Sequence, residues 1–157
     1  GLGTTLMNMG IMGLLGLTLL YIFDAPLNGP VYGAYMALIG YSSFGKHPKN
    51  VYPVLLGIGL AQYLTPHQRT ETTFFMSLFY GTALAPLAGE FGILAGMLAG
   101  FTHVLLVSRV ATLHNGVNLY NNGFSTGILA EFYLPIFLIA RKTRQDILAK
   151  ALGRKQK

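Results

Sequence analysis

Long apolar segments without a polar face run through this sequence, and they restrict what the chain can fold into. The first, from about Leu2 to Phe23, holds one amide side chain and no charge. Segments from about Thr72 to Ala88, Gly92 to Ala111 and Phe124 to Ala140 are almost as apolar. A segment inside lipid must bond every backbone N–H and C=O group within the protein, which favours helices. The sequence therefore predicts an all-α, polytopic transmembrane helix bundle of about five to six segments.

Composition supports the same fold class. The chain is 52% hydrophobic and only 10% charged, whereas a soluble domain carries about 25% charged residues. A water-soluble domain with a very large core is the disfavoured alternative. Because the sequence has no cysteine, disulfides and thiolate chemistry are excluded.

Two apolar segments are shorter than the roughly 20 residues that a membrane crossing needs. They run from about Pro30 to Phe44 and from Val51 to Leu64, and the polar loop Gly45–Asn50 with its two lysines separates them. Re-entrant or broken helices are therefore alternatives to full crossings. Within the segment Thr72–Ala88, Pro86 predicts a bend or an end, because proline lacks the helical N–H.

Basic residues gather at the end of the chain, where seven of the eleven Lys and Arg follow Ala140. Residues 141–157 are predicted to form a basic amphipathic cytoplasmic tail that contacts anionic lipid headgroups. Residues 1–140 form the predicted transmembrane domain, and the missing initial Met suggests the C-terminal part of a longer protein. The positive-inside rule predicts a multi-pass protein of the cell membrane with a cytoplasmic C-terminus. Nucleic acid is not an expected partner.

A polar, glycine-broken stretch interrupts the apolar chain at Leu113–Leu134. Its amides and glycines predict the lining of a path for a small polar solute or an ion, since broken helices offer such groups. The candidate lining residues are Asn118, Asn121, Asn122 and Gly123. The alternative is an ordinary surface loop, because Asn and Gly are also turn formers.

Glu131 is the acid in the middle of the last apolar segment. A carboxylate at mid-membrane costs roughly 2.5 kcal/mol or more on insertion scales, so such residues are usually functional. The predicted role is proton or cation coupling, or a polar wall of the path. The alternative is a structural ion pair or hydrogen bond with His103 or Arg109.

A weak internal repeat adds one more candidate. Leu6–Gly10 and Leu119–Gly123 both follow the pattern L-x-N-x-G and both enter an apolar run. Many transporters consist of two related halves with the binding site at broken helices. Asn8 would then be the counterpart of Asn121 in the lining, although three shared identities also fit chance.

Gly92, Gly96 and Gly100 follow the pattern G-x-x-x-G-x-x-x-G. In membrane helices this spacing gives a face on which a second backbone packs closely. The three glycines are therefore predicted helix-packing residues. The partner can be another helix of the chain or a second copy in a homo-oligomer.

The stretches HNGVNLYNNGFSTGILAEF, TTLMNMG and SSFGKHPKN make the chain resemble a family of uncharacterised bacterial polytopic membrane proteins, the domain of unknown function 1576 family. The resemblance covers most of the chain and implies a membrane location, with no assigned activity. The stretch NLYNNGFSTGILA is also similar in texture to the G-x-Y-G-Φ-N-like stretch that enters the pore helix of urea-transporter-type channels, where Φ is apolar. An exact copy is absent here, so this likeness implies a channel or transporter and no particular solute.

The preferred hypothesis is a non-enzymatic transporter or channel for a small polar solute or an ion. One alternative is an intramembrane enzyme that uses Glu131 with His103 or His114. Another is a non-catalytic membrane assembly subunit. No cofactor and no metal are predicted, because the H-x-x-x-H and H-E-x-x-H spacings do not occur in the sequence.

Overall fold

A computed structural model describes residues 1–65, 71–113 and 121–154, and within these ranges the chain is helical without a strand. The helices are α1 (Leu2–Ile22), α2 (Gly29–Tyr41), α3 (Pro48–Leu64), α4 (Glu71–Gly81), α5 (Ala85–Phe91), α6 (Ile93–Val107), α7 (Val110–Leu113) and α8 (Asn121–Arg154). Two 3₁₀ turns, Ser42–Phe44 and Thr82–Leu84, extend α2 and join α4 to α5. The predicted all-α fold class is confirmed.

Local capping explains where α2 and α3 begin. The side chain of Asn28 accepts a hydrogen bond from the backbone N–H of Val31 at 3.1 Å and caps α2. At α3, the backbone N–H of His47 donates to the side-chain oxygen of Asn50 at 2.9 Å in a capping box. The prediction of a polar loop over Gly45–Asn50 is therefore wrong for its second half, since residues 48–50 form the first turn of α3.

The segment from Glu71 to Phe91 is one broken helix. Pro86 lies in the first turn of α5, and the 3₁₀ turn Thr82–Leu84 comes just before it. Because proline has no N–H to bond the carbonyl four residues earlier, the regular helix is interrupted at Thr82. The bend that Pro86 predicts is present, and it lies on the N-terminal side of the proline.

Gly92 is the hinge between α5 and α6. Its φ is +93°, which favours glycine, and a side chain built there would meet nothing within 4 Å. Gly92 is therefore a turn residue and not part of the packing face. Gly96 and Gly100 do lie in tight contacts, because a methyl group on Gly96 would overlap Ala88 and Pro53 and one on Gly100 would overlap the carbonyl oxygen of Val54.

Contacts between loops define the two ends of the bundle. At the Asp24 end, Nδ2 of Asn28 donates to the hydroxyl of Thr72 at 2.8 Å, and the ring of Phe23 packs on Phe74. At the opposite end, here called the Lys49 end, Gly89 lies beside Asn50, and Glu90 forms an ion pair with Arg141. The helices α1, α2, α3, α4–α5, α6 and α8 each run between these two ends.

Two of the described helices are long and apolar enough to cross a membrane. They are α1, with 21 residues, and the Asn121–Leu152 part of α8. Helix α8 continues without a break past Arg141 to Arg154, so the predicted basic tail is helical up to that residue. Pro135 is accommodated inside the same helix.

Candidate functional site

A buried lysine lies between the end of α2 and the start of α3. Lys46 is 5% exposed, and its Nζ donates a hydrogen bond to the hydroxyl of Thr82 at 2.8 Å. Nζ also lies 5.4 Å from the centre of the Tyr41 ring. Thr82 belongs to the 3₁₀ turn that breaks α4 from α5, so the ammonium reaches the break itself.

Two neighbouring helices fix the backbone that carries Lys46. Asn8 in α1 donates through Nδ2 to the carbonyl of Ser42 at 2.8 Å and to the carbonyl of Lys46 at 2.6 Å. Asn50 in α3 donates to the carbonyl of Gly45 at 3.1 Å, and Gly45 itself has a φ of +94°. These contacts leave the Lys46 backbone little freedom and direct its side chain into the bundle.

A partly open cavity of about 430 Å³ adjoins Lys46. The end of α2, the α4–α5 break and the first turns of α8 form its walls, with Tyr41, Tyr80, Pro86, Gly123, Thr126 and Gly127 among the lining residues. Most of the wall is apolar. A ligand cavity typically combines such walls with a few placed polar groups.

The electrostatics of Lys46 are unusual. Burial lowers the pKa of its ammonium from 10.5 to about 8. Within residues 1–65, 71–113 and 121–154, Lys46 forms no ion pair. A buried charge without a counter-charge is costly, and perturbed titratable groups that face a cavity are candidates for a functional site.

The comparisons with known proteins place the chain in a family and assign the site no activity. A family model described as "Protein of unknown function (DUF1576)" matches residues 1–139. The chain belongs to this DUF1576 family. The match includes Lys46, the α4–α5 break and the first turns of α8. No curated protein and no solved structure matches the chain, so the likeness to urea-transporter-type channels is not shown.

Of the predicted path-lining residues, one lies in the wall of this cavity and one bonds the backbone of Lys46. Gly123 lines the cavity, whereas Asn8 donates a hydrogen bond to the backbone carbonyl of Lys46. Asn122 is buried at the start of α8, and its side-chain oxygen has no hydrogen-bond partner among the described residues. Asn121 is the first residue of α8, and Asn118 lies outside the described residues. The lining role of these residues stays a prediction.

Glu131 lies outside the Lys46 cavity. It is exposed and borders a neighbouring groove of about 250 Å³ that Glu90 and Leu87 also line. In the described part of the chain it forms no ion pair with His103 or Arg109, so that alternative is not supported. His103 is buried, and its Nδ1 lies 2.9 Å from the hydroxyl of Ser125.

The two L-x-N-x-G stretches of the DUF1576 chain approach the same loop and cavity from two sides. Asn8 of the first stretch bonds the Lys46 carbonyl, and Gly123 of the second lines the cavity that Lys46 enters. The first residues of the second stretch, Leu119 and Tyr120, lie outside the described residues. The internal repeat therefore remains a hypothesis.

Lys46 is the functional candidate that sequence reasoning missed. A lysine between two apolar segments is what the positive-inside rule predicts for a wetted loop. One signal pointed elsewhere: the segments on both sides are too short for a full crossing. In the structure, the short connection between these segments brings Lys46 to the α4–α5 break, where Nζ bonds the hydroxyl of Thr82.

Within the described ranges, no group of three or more His, Asp or Glu side chains could hold a metal ion. The cavity offers an ammonium, tyrosine rings and a threonine instead. This set of groups suits the binding of a polar or charged small molecule.

Proposed function

We propose that this DUF1576 chain forms the solute-binding part of a membrane transporter or channel for a small polar solute or an ion. The observation that carries the proposal is the cavity at the broken α4–α5 helix, which receives the buried ammonium of Lys46. Transporter binding sites typically lie at discontinuous helices near the middle of the membrane. Charged groups held inside a membrane protein are functional by default.

The outer surface of the helices supports a membrane location. Along α1, the exposed side chains include Leu6, Met7, Ile11, Leu14 and Leu17. Contiguous apolar surface of this kind is unfavourable in water and is typical of contact with lipid or a partner protein. The proposed partners are therefore the lipid bilayer and, on the same faces, a further copy of the chain.

The depth of the cavity fits the proposal. Phe137 in α8 contacts Phe91 at the end of α5, near the Lys49 end. Thr126, which lines the cavity, comes eleven residues earlier in α8, and at about 1.5 Å per residue this separates the two by about 16 Å. A hydrocarbon core about 30 Å thick would therefore place the cavity near its middle.

A non-enzymatic role is part of the proposal. The enzyme alternative needs Glu131 within hydrogen-bond reach of a histidine. His103 instead pairs with Ser125, Glu131 borders a separate groove, and His114 lies outside the described residues. The arrangement favours binding over acid–base chemistry.

A cavity-filling variant tests the proposal. Gly127 lines the cavity, and a side chain added there meets nothing within 4 Å, so Gly127→Phe should fill the cavity while α8 stays folded. Flux of a panel of neutral, anionic and cationic small solutes is measured in proteoliposomes. We expect the wild type to carry at least one solute and Gly127→Phe to slow its flux by about tenfold or more, which corresponds to a barrier higher by roughly 1.4 kcal/mol.

Gly33→Phe is the matched control. Gly33 is an exposed helical glycine with open space around it, and it lies in α2 away from the cavity. Its variant should carry the solute at the wild-type rate. Proteoliposomes that are no faster than empty vesicles for every solute would refute transport, and equal slowing by both variants would show that the cavity is not the site.

A further inference from the structure

We infer that the cavity beside Lys46 binds a small monovalent anion, such as a carboxylate with an apolar body, and that the Lys46 ammonium is its counter-charge. This inference rests on the proposed function, because it names the class of solute that the transporter would take. It is carried by the burial of Lys46, by the charges around the cavity and by the cavity's size.

The hydrogen bonds of Lys46 leave room for an anion. A lysine ammonium has three N–H donors and no acceptor. One donor is used by the hydroxyl of Thr82, and the Tyr41 ring lies near the charge. Two donors remain for a bound group, which matches a carboxylate because its two oxygens accept hydrogen bonds.

The other groups around the cavity favour negative charge. No Asp or Glu lines the cavity in the described part of the chain, and the acids nearest along the sequence, Glu90 and Glu131, border the neighbouring groove. A cation would meet one fixed positive charge and no compensating carboxylate.

Size and polarity narrow the class of anion. The cavity of about 430 Å³ lies in the range of small-molecule sites, and Phe44, Ala83 and Pro86 give it apolar walls. One ammonium balances one negative charge, whereas a dianion would keep a charge that is buried without a partner. A monocarboxylate with a small hydrocarbon body satisfies both conditions.

The experiment compares two lysines that lie three residues apart in the wild-type protein. Lys46 is buried beside the cavity and Lys49 is exposed three residues later. The purified protein in detergent is treated with a small amine-acylating reagent, and the labelling rate of each lysine is followed by mass spectrometry. Benzoate, sulfate and urea are added as the monoanion, the dianion and the neutral probe, at equal ionic strength for the two salts.

We expect benzoate to slow the labelling of Lys46 by about tenfold or more, since a bound carboxylate stabilises the unreactive ammonium by roughly 1.4 kcal/mol or more. Lys49 should change by less than about twofold, because an exposed ion pair contributes little. Sulfate and urea should leave both lysines unchanged. Equal protection by urea, or equal slowing of Lys46 and Lys49, would overturn the anion site.

A second arm separates a soluble anion from a lipid headgroup. Mixed micelles with phosphatidylglycerol or phosphatidylcholine replace benzoate, since the first headgroup is a monovalent phosphodiester and the second is a zwitterion. Protection of Lys46 by phosphatidylglycerol and not by benzoate keeps the anion site and assigns it to lipid, which contradicts the solute transport proposed above. Protection by benzoate supports a soluble solute.

The two proposals fail in different ways. Protection of Lys46 by benzoate without any flux in proteoliposomes supports the anion site and refutes transport. Flux of a neutral solute without protection of Lys46 refutes the anion site and supports transport. Lys46→Met gives a further check on the site, because benzoate should raise the thermal midpoint of the wild type and of Lys49→Met but not of Lys46→Met.

Discussion

Lys46 is held in a position that weakens the fold. Its neighbours Asn8 and Asn50 bond the backbone of its loop, so the side chain cannot withdraw to the surface. Burial lowers the pKa of its ammonium to about 8, which means that the folded protein disfavours the charge it carries near neutral pH. A lysine kept there at a cost in stability fits the anion site proposed above, since functional groups often lower the stability of a fold.

The pH dependence of stability tests this cost. The folded-state pKa of about 8 lies below the ordinary value of 10.5. Below about pH 8, Lys46 is protonated in both the folded and the unfolded state, and the full destabilisation by its buried charge is present. Between about pH 8 and pH 10.5, Lys46 is protonated only in the unfolded state, so the free energy of unfolding rises with pH. The pKa shift corresponds to a destabilisation of roughly 3 kcal/mol. Near pH 7 a Lys46→Met variant should therefore be more stable than the wild type by about 2 kcal/mol, because it also loses the hydrogen bond to Thr82, which contributes about 1 kcal/mol.

The measurement is denaturation of the detergent-solubilised protein between about pH 7 and pH 11. The stability difference between Lys46→Met and wild type should shrink and then reverse as pH rises through this window. Lys49→Met serves as the control and should follow the wild type, since Lys49 is exposed. A difference that stays constant over the whole window would contradict a buried, destabilised ammonium.

At the scale of helices, the sequence predicted the elements better than their junctions. Apolar composition and the position of a proline are local signals, and they predicted α1 and the bend near Pro86. The glycine pattern includes Gly96 and Gly100, which lie in close contacts, and also Gly92, which is a turn residue. A pattern of small residues cannot tell a hinge from a contact, because that difference depends on the partner helix.

Helix α3, which packs against α6, contributes a close-contact glycine that lies outside the G-x-x-x-G-x-x-x-G pattern. Gly57 in α3 faces α6, and a methyl group there would overlap the carbonyl oxygen of Met97. Lys46 was missed for a similar reason: its burial depends on Thr82, a residue 36 positions away. Helix type was therefore predictable from the sequence, whereas the site depended on contacts between distant segments.

Two alanine variants in α3 test the close approach of α3 and α6. Gly57→Ala should destabilise the protein by about 1–3 kcal/mol, because backbone atoms of α6 cannot move aside as a flexible side chain can. Gly59→Ala in the same helix meets nothing within 4 Å and should stabilise by about 0.5–1 kcal/mol. Thermal denaturation in detergent measures both, and equal effects of the two variants would contradict the α3–α6 contact.

For the whole molecule, charge differs between the two ends of the bundle. The Lys49 end carries Lys46, Lys49, Arg141, Lys142 and Arg144 against Glu90, whereas the Asp24 end carries Asp24, Glu71 and Arg109. By the positive-inside rule, the Lys49 end faces the cytoplasm in the proposed membrane orientation. Lys46 then enters its cavity from the cytoplasmic side.

This orientation predicts the result of cysteine labelling. The sequence has no cysteine, so single substitutions need no altered background. Lys49→Cys and Arg144→Cys should react with a membrane-impermeant maleimide only in inside-out vesicles, because both positions lie at the cytoplasmic end. Asp24→Cys and Thr112→Cys are exposed at the other end and should react only in right-side-out vesicles. Labelling of Lys49→Cys and Arg144→Cys from opposite sides would show that an odd number of crossings separates the two positions. That result would contradict the proposed arrangement of six membrane segments, in which the cavity lies near the middle of the membrane.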